Sequence, residues 1–529
     1  MNSPIPAFWR KTAPYLLLAL AVFVAYANLY GNQFLFDDQT LIVENEFLRY
    51  WHYLPTLFTT PIMAGSHTNS DFYRPLQTFL YFFIYQFSDL STVGYHLLNV
   101  SLHAANACLL YRLGVKLRFN AVAVFIAALL WAVHPIHTEA VTYISGTADG
   151  LYSFFCLLGL VLLAPDFTSR KILLAVLFCA LALLSKEAAV VFPLLLMACL
   201  FVTQSDRFNP KTYIRTWPLW LLVVFYLFVR MAVLSFDSRE FVNIHPELFD
   251  YGTHLSLRIY TFIATLPSYA ALLLWPHGLH MERNFPVQEN ILALPVLAGM
   301  LMLVAASLLF IREQKRAAIP ALGFGFLWFG FAYVPQMGIL IPVNALFLEH
   351  WMYLPSAGLM LGLAQALSSQ IRSQNLKLIV VMLACGAACV FGFLTYQQNK
   401  TWHDPVVFYR NIIDQGETSV RAYNNLGMAL IDRGEFKQAM EQFQLALKTH
   451  EAAETHQNIA SLYSRMPGGG PLMVPQEMAE LKRALELNPD YYQACKDLAF
   501  LYHYTGDKEK AAEYNQRLEL IREKYNRYQ

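Results

Sequence analysis

The sequence predicts an all-α protein with two parts, a polytopic helical membrane domain and a C-terminal helical solenoid. Hydrophobic residues make up 56% of the 529 residues and charged residues only 14%, and the apolar residues fall in runs long enough to cross a bilayer. After residue 400 the composition changes abruptly to a charged, Ala- and Leu-containing pattern with helical spacing. We therefore place the membrane domain at 1–400 and the solenoid at 401–529.

Composition also narrows the class of function. A net charge of +1 excludes a general electrostatic attraction to nucleic acid, so we expect no nucleic-acid partner. The seven cysteines show neither a disulfide framework nor the spacing of a metal site. Arg10 and Lys11 precede a long apolar run without a small-residue cleavage site, which is typical of a retained signal anchor. These features indicate a multi-pass membrane protein in contact with membrane lipid.

Basic residues in the short loops predict the topology, because Lys and Arg collect on the cytoplasmic side of a membrane. The basic clusters are 10–11, 112–118, 170–171, 207–215, 312–316 and 372–377. Placing all of them inside predicts about eleven crossings. These lie near 12–30, 95–112, 119–134, 148–164, 171–185, 187–203, 216–234, 291–311, 318–337, 353–370 and 378–397. The N-terminus is then cytoplasmic and the C-terminal domain extracytoplasmic.

Two other apolar stretches fit the membrane interface better than a crossing. Counting Leu255–Trp275 as a crossing would move Arg312, Lys315 and Arg316 outside, so we expect an interfacial or re-entrant helix there. Leu76–Phe87 is rich in aromatic residues and shorter than a full span. It is interpreted as an interface helix of the first outer loop.

The region after residue 400 contains an internal helical repeat. Its first copy matches the spacing of a tetratricopeptide repeat at Tyr423, Leu426, Gly427, Leu430, Ala439, Phe443 and Ala446. A second copy has Ile459, Ala460, Tyr463, Leu481, Ala484 and Pro489, and a third has Leu498, Ala499, Tyr502 and Ala511. Stacked helical hairpins bury a continuous core that one hairpin cannot. Such a domain binds a polypeptide in its groove or serves as a rigid cap, and the fold alone does not distinguish these two roles.

The pair Asp37–Asp38 directly follows the first apolar helix, in the segment FLFDDQTLIVEN. An ionisable group at the membrane edge is costly unless it has a partner or a task, so the pair is a candidate for catalysis. A carboxylate partly shielded from water has the raised basicity that suits a general base acting on an acceptor hydroxyl. The alternative is a helix-terminal turn in which an Asp accepts backbone N–H bonds.

Further charged residues from distant loops fall on the same predicted face of the membrane. They are Arg74, His134, His137, Glu139, Asp149, Lys186, Glu187, Arg283, Glu349 and His350. The spacing of His134 and His137 is weak evidence for a metal, and hydrogen-bonded helix caps are the alternative. Lys186 and Glu187 could also pair with each other at a helix end.

Taken in order, these segments resemble those of one known family. The strings are FDDQTLIVEN, YRPLQTFLYFFIY, GYHLLNVSLHAANACLLY, HPIHTEAVTYISGTADGL, SKEAA and EHWMYLPS, followed by the tetratricopeptide repeats. Together they resemble the transmembrane-and-tetratricopeptide-repeat O-mannosyltransferases and their bacterial relatives, which belong to the C-type glycosyltransferase superfamily. The similarity covers most of residues 30–190, a block near 345–360 and the architecture of the whole chain.

The resemblance implies a membrane domain of the C-type glycosyltransferase kind and an inverting reaction. A sugar, here a hexose such as mannose, passes from a polyprenyl-phosphate donor to a Ser/Thr hydroxyl of a protein acceptor on the non-cytoplasmic face. An acid of the first outer loop is the catalytic base in such families, which maps onto Asp37 or Asp38. The chain departs from the family pattern at Thr147 and His350, where an arginine is lost, so donor-phosphate binding and sugar identity stay open.

The leaving phosphate accumulates negative charge, and cations aimed at it lower the barrier to transfer. The candidate phosphate-binding residues are Arg74, Lys186, Arg283 and His350. Because these cations are numerous we expect no cofactor, with a divalent ion on Asp38 and Asp149 as the alternative.

The predicted partners are the polyprenyl-phosphate sugar and a protein acceptor bound through the repeat domain. A bacterial inner membrane is favoured over the endoplasmic reticulum as the location. An oligosaccharide ligase or polymerase is the nearest competing enzyme, and a non-catalytic scaffold that recruits partners through its repeats is the other alternative.

Overall fold

The computed structural model describes residues 7–526 except 67, 69, 71, 165–168, 205, 234–248, 315–318, 344 and 469. Lys315 and Arg316 of the 312–316 basic cluster therefore lie outside the described residues. Regular structure in the described part of the chain is helical throughout, which confirms the predicted all-α class. The chain divides into two compact units, Met1–His403 and Asp404–Gln529.

The first unit is built from apolar helices joined by short helical turns. In the described residues, its helices up to residue 203 are α1 Ala7–Ala25, α2 Pro75–Ser88, α3 Thr92–Lys116, α4 Ala121–Ala132, α5 Thr138–Val141, α6 Thr147–Leu163, α7 Ser169–Leu183 and α8 Phe192–Thr203. The described helices that follow are α9 Pro210–Ile214, α10 Trp217–Phe228, α11 Phe249–Thr253, α12 Leu255–Leu274, α13 Leu294–Gln314, α14 Ala321–Tyr333, α15 Tyr353–Gln370 and α16 Gln374–Gln398.

Two buried tryptophans fasten α4 and α14 to the start of α15. The Trp131 indole donates to Tyr353 O (3.0 Å) and the Trp328 indole donates to Leu354 O (2.9 Å). Gly358 makes room for the second ring, because a Cβ there would lie 2.0 Å from Trp328 Cγ. These rings bury large apolar surfaces while their N–H groups stay satisfied.

Length and composition identify some of the predicted crossings. In the described part of the chain, the segments apolar and long enough to cross a membrane are Ile144–Leu163, Leu255–Leu274, Leu294–Gln314 and Gln374–Trp402. Ala121–Ala132 and Pro135–Val141 form a bent pair that passes the test together. Shorter apolar helices cover Lys11–Ala25, Lys171–Leu183, Glu187–Thr203 and Trp217–Ala232. The count of about eleven crossings stays a prediction.

Helix α12 is long enough to cross a membrane, and contacts near both of its ends join it to neighbouring segments. Arg258, near its start, donates to Gly338 O (3.3 Å) in the 334–352 connection between α14 and α15. Leu273 O, near its end, lies 3.0 Å from Nε2 of His134, which follows α4. Glu349 and His350 of the same 334–352 connection contact residues that follow α4 and α12. The interfacial position of α12 stays a prediction.

Helix α2 forms where an interface helix was predicted. The amide of Leu76 in this helix donates to the carbonyl of Leu184 (3.1 Å), the residue directly after α7. Trp51 packs edge-on against Phe82 and Phe83, with ring centroids 5.1 and 5.8 Å apart. The helix is therefore held between the first outer loop and the end of α7.

The second unit consists of paired helices, as the repeat pattern predicts. They are α17 Pro405–Asp414, α18 Val420–Asp432, α19 Phe436–Thr449, α20 Ala453–Arg465, α21 Gly470–Leu487, α22 Tyr492–Tyr504 and α23 Lys508–Asn526. Gly427 of α18 lets α19 approach closely, because a Cβ there would lie 2.3 Å from Phe443 Cε1. Ala439 and Ala446 of α19 are fully buried, so the small residues of the repeat lie where its helices cross.

Candidate active site

The loop that follows α1 holds one of its two carboxylates inside the protein. Asp38 is 1% exposed. Its Oδ1 accepts hydrogen bonds from Ser145 N (2.8 Å) and from the Ser145 hydroxyl, and its Oδ2 accepts one from Leu35 N (3.0 Å). Burial raises the pKa of Asp38 to about 7, although these hydrogen bonds act in the opposite direction. Both oxygens of this carboxylate are therefore engaged by donors of the protein.

Asp37 is held by its backbone and stays partly exposed. Its amide donates to the Tyr143 hydroxyl (3.0 Å) and its carbonyl accepts from Leu41 N (2.9 Å). Phe36, directly before it, has a φ of +50°, in the left-handed region that bulky residues rarely adopt. Such strain persists only where surrounding contacts over-determine the backbone, and it is found preferentially at functional sites.

Tyr143 and Ser145 are the residues that sequence reasoning missed at this loop. They lie between α5 and α6, and more than 100 residues separate each from its aspartate partner. The carbonyl of Ser145 also accepts from the buried Gln77 side chain of α2 (3.0 Å). Neither residue carries a charge, and the one sequence signal of both was a place in the YISG part of the string HPIHTEAVTYISGTADGL.

The structure brings each predicted cation against a predicted carboxylate. The pairs are Arg74–Glu187 (2.7 Å), Lys186–Asp149 (2.7 Å), Arg283–Glu349 (3.2 Å) and His350–Glu139 (2.7 Å). Lys186 and Glu187 therefore bind partners from other segments. The alternative, an ion pair between Lys186 and Glu187 themselves, does not form among the described residues.

The first group of charges, here called the Arg74 cluster, comprises Arg74, Asp149, Lys186, Glu187 and Arg230. Arg74 binds Glu187 with both Nε (3.1 Å) and Nη2 (2.7 Å), a bidentate arrangement. Charges of Lys186 and Arg230 also act on Glu187, and that of Asp149 acts on Arg74. Arg230 comes from the segment after α10 and was not among the predicted residues. The described members of the cluster are thus three cations and two carboxylates.

The second group, here called the Glu349 cluster, comprises Glu139, Arg283, Glu349 and His350. Glu349 accepts from His280 N (2.9 Å) and from Arg283, and Glu139 accepts from His350 N (2.9 Å). Burial, and then the nearby charge of Glu139, raise the pKa of Glu349 to about 8. This cluster pairs two buried carboxylates with one permanent cation, so it is poorer in positive charge than the Arg74 cluster.

The two histidines of the HPIH segment have different surroundings. Nδ1 of His134 accepts from Ile136 N (3.2 Å) and its Nε2 lies 3.0 Å from Leu273 O, so this ring acts as a hydrogen-bonded cap. His137 is fully buried, and among the described residues neither ring nitrogen has a hydrogen-bond partner. The histidines thus do not converge on one point, and the cap interpretation fits His134.

The two positions that lack the family's arginine are filled differently. Thr147 is buried, and its hydroxyl lies 2.5 Å from Asn99 Oδ1. His350 takes the place of an arginine beside Glu349 and binds Glu139.

The carboxylates named for a possible metal ion have separate partners. Asp38 binds Ser145, whereas Asp149 binds Lys186. Within the described ranges, no group of three or more His, Cys, Asp or Glu side chains is arranged to hold a metal ion.

Comparison with known proteins supports both parts of the architecture. A tetratricopeptide repeat model matches residues 420–449. The protein O-mannosyl-transferase F38B6.6 of Caenorhabditis elegans is 27% identical over 83% of this chain and 63% of its own length. The human protein O-mannosyl-transferase TMTC3 is 26% identical over 85% of this chain and 53% of its own length.

Two solved membrane enzymes share weak structural similarity with the chain. ArnT from Cupriavidus metallidurans, bound to undecaprenyl phosphate, matches with a TM-score of 0.39 and 12% identity, covering 92% of this chain and 80% of that one. The Archaeoglobus fulgidus oligosaccharyltransferase, tethered to an acceptor peptide, matches with a TM-score of 0.41 and 12% identity, covering 74% and 56%.

The chain spans about half to two thirds of the length of the curated relatives it matches. The matched regions cover more than four fifths of this chain. The comparisons confirm the resemblance that the motifs indicate, and the chain is a homologue of the transmembrane-and-tetratricopeptide-repeat protein O-mannosyl-transferases.

Proposed function

We propose that the protein is an inverting, polyprenyl-phosphate-dependent glycosyltransferase that modifies Ser/Thr hydroxyls of a protein acceptor. The observation that supports this most is the Asp37–Asp38 loop, which has a strained backbone at Phe36 and is held by Tyr143 and Ser145. The names of the relatives favour mannose as the sugar. We place the reaction on the non-cytoplasmic face of a bacterial inner membrane, with the N-terminus cytoplasmic and the repeats outside.

Asp37 is proposed as the base and Asp38 as the residue that orients it. A base must come within hydrogen-bond reach of the acceptor hydroxyl. Asp38 is almost fully buried, and donors of the protein already occupy both of its oxygens. Asp37 is partly exposed, and its backbone is fixed by Tyr143. The difference in exposure assigns the two adjacent acids to different roles.

The reaction is a single displacement at the anomeric carbon of the donor sugar. The acceptor oxygen forms a bond to that carbon while its proton passes to the Asp37 carboxylate. The bond from the carbon to the phosphate oxygen breaks, and the polyprenyl phosphate leaves with the electron pair. Attack from the face opposite to the leaving group inverts the configuration of the sugar.

The Arg74 cluster is proposed as the site for the donor phosphate. Charge that develops on the leaving group is stabilised best by preorganised cations in a site shielded from water. Arg74 and Lys186 suit that role, because both cations are already oriented by their carboxylate partners. Of the four predicted phosphate-binding residues, Arg283 is then assigned to stabilising the 278–283 segment through Glu349, and His350 to joining the 334–352 connection to α5 through Glu139.

The test compares Asp37→Asn with Asp38→Asn in the purified full-length chain. Transfer from polyprenyl-phosphate mannose to a Ser/Thr peptide is measured, with donor binding measured separately. A general base contributes a factor of about 10²–10⁴, so Asp37→Asn should lose that much in kcat and keep its donor affinity. Asp38→Asn retains an oxygen that can accept from Ser145, so it should lose less. Transfer within a few-fold of wild type in Asp37→Asn would exclude this residue as the base.

A further inference from the structure

The last residues of the first unit return to the loop that carries the two aspartates. This segment, here called the strap, comprises residues 399–403 and follows α16. Asn399 is fully buried in spite of its polar side chain. A buried amide is stable only when its donors and acceptors are satisfied, so its partners identify what it holds.

Asn399 connects three separate segments of the chain. Its Nδ2 donates to Ala25 O (3.0 Å) and to Asn28 Oδ1 (2.9 Å), at the end of α1. Its Oδ1 accepts from the Thr142 hydroxyl (2.7 Å), directly before Tyr143. Its carbonyl accepts from the Asn32 side chain (3.2 Å), in the stretch that leads to Asp37.

Two further strap residues reach the same loop by independent routes. His403 O accepts from Gln33 N (2.9 Å), four residues before Asp37. The Trp402 ring stacks on that of Tyr143, with centroids 5.5 Å apart and planes inclined by 29°. Tyr143 in turn accepts the hydrogen bond from Asp37 N. The strap thus holds the start of the loop directly, and it holds Asp37 through one intervening ring.

We propose that residues 399–403 are a positioning element of the active site and that Asn399 is its central residue. This inference rests on the proposed function, since it assigns to the strap the task of holding the Asp37 loop. The second unit begins immediately after the strap. Its place in the sequence alone would therefore suggest a simple linker. A misplacement of about 1 Å at a reacting group costs about 10²-fold in rate, which gives such a residue a measurable effect on kcat.

The test uses Asn399→Ala in the full-length chain, with Gln397→Ala as the matched control. Gln397 lies two residues earlier, is exposed, and its side chain accepts from Lys400. We expect Asn399→Ala to lose about 10- to 100-fold in kcat. Donor affinity and the KM for a short soluble peptide should stay within about twofold, and Gln397→Ala should behave as wild type. Amide exchange should increase in the peptide that covers 31–40 and stay unchanged in the one that covers 420–449.

A milder variant covers the case in which Asn399→Ala does not fold. Thr142→Val removes only the hydroxyl that donates to Asn399, and we expect a smaller loss in kcat with donor affinity retained. The double variant should lose no more than Asn399→Ala alone, because both changes break the same bond. Wild-type kcat in Asn399→Ala and Thr142→Val, or a loss of donor affinity equal to the loss in kcat, would overturn the inference. Activity in Asp37→Asn would instead contradict the proposed base.

Discussion

Adjacent residues of the same chemical type have opposite environments in the Asp37–Asp38 pair. Asp38 points into the protein toward Ser145, whereas Asp37 is fixed through its backbone and stays partly exposed. Environments that separate the protonation behaviour of two carboxyl groups are a common basis for assigning them different roles. The proposed assignment of different roles to Asp37 and Asp38 therefore depends on Ser145, which provides two of the three hydrogen bonds to Asp38.

Replacement of Ser145 tests whether its hydroxyl or its volume fixes the geometry of the Asp37–Asp38 loop. Ser145→Ala removes one donor to Asp38, and we expect about a 10-fold loss in kcat as the loop loses its fixed geometry. Ser145→Thr keeps the hydroxyl and should retain more activity, although Ala is closer to Ser in size. Ser369→Ala, which removes an exposed hydroxyl at the end of α15, serves as the control. An Ala variant that is more active than the Thr variant would show that packing dominates.

The two charge clusters can be distinguished by a matched pair of arginine variants. Arg74→Gln and Arg283→Gln each remove a guanidinium that binds a carboxylate, at 2.7 and 3.2 Å respectively. Hydrogen bonds to charged groups contribute about 1.5–3 kcal/mol, so Arg74→Gln should weaken polyprenyl-phosphate binding by about 10- to 100-fold. Arg283→Gln should leave the dissociation constant of the donor nearly unchanged. Equal losses in the two variants would contradict the assignment of the phosphate to the Arg74 cluster.

At the scale of elements, helix α12 illustrates why length alone does not define a crossing. Its 20 residues and mean hydropathy of 1.4 satisfy the criteria for a span. Its contacts run from the 334–352 connection to His134. If α12 is interfacial, as the positive-inside argument predicts, it is not a crossing and the side of every later loop changes accordingly.

Cysteine labelling checks that topology directly. A single cysteine at Glu282, after α12, should react with a membrane-impermeant reagent added from outside, because α12 leaves the chain on the outer side. A cysteine at Gln314, at the end of α13, should be protected until the membrane is permeabilised. Labelling of the parent protein, which contains seven cysteines, gives the background. The reverse pattern would make α12 a true crossing.

At the scale of the whole molecule, the two compact units suggest a division between chemistry and acceptor choice. A binding groove tethered to an active site raises the local concentration of the acceptor, and the gain can reach about 10²–10⁴. The boundary of any truncation is critical, because residues 399–403 hold the Asp37 loop. A cut within α16 or the strap would damage the first unit as well as remove the second.

Ending the chain directly after His403 tests this division. Donor binding and transfer to a small soluble peptide should persist, because the strap is retained. Transfer to the natural protein acceptor should fall by about 10²–10⁴ if the repeats supply the effective concentration. The intact protein provides the comparison for both acceptors. Undiminished transfer to the natural acceptor would mean that the repeats do not select it, and loss of donor binding would mean that they help to form the site.

The sequence by itself determined the helical class and the repeats, and it marked the Asp37–Asp38 loop as a candidate site. In a membrane, long apolar runs can satisfy the hydrogen-bonding groups of their backbone only as helices. The small residues of the repeat mark, locally along the chain, where its helices cross. Such signals are periodic or contiguous, so they can be read without knowing the tertiary structure. The same holds for the acids and cations of the outer loops, whose cost in an apolar setting already marks them.

Only the tertiary structure decided how those residues combine. Arg74 meets Glu187 across 113 residues and Asp38 meets Ser145 across 107, and no local pattern specifies such pairings. Ser145, Tyr143, Arg230 and Asn399 escaped notice because hydroxyl and amide groups in ordinary loops, or a single arginine after a helix, carry no distinctive spacing. Their contacts follow from the fold, because a polar group removed from water needs a partner wherever the chain brings one within reach.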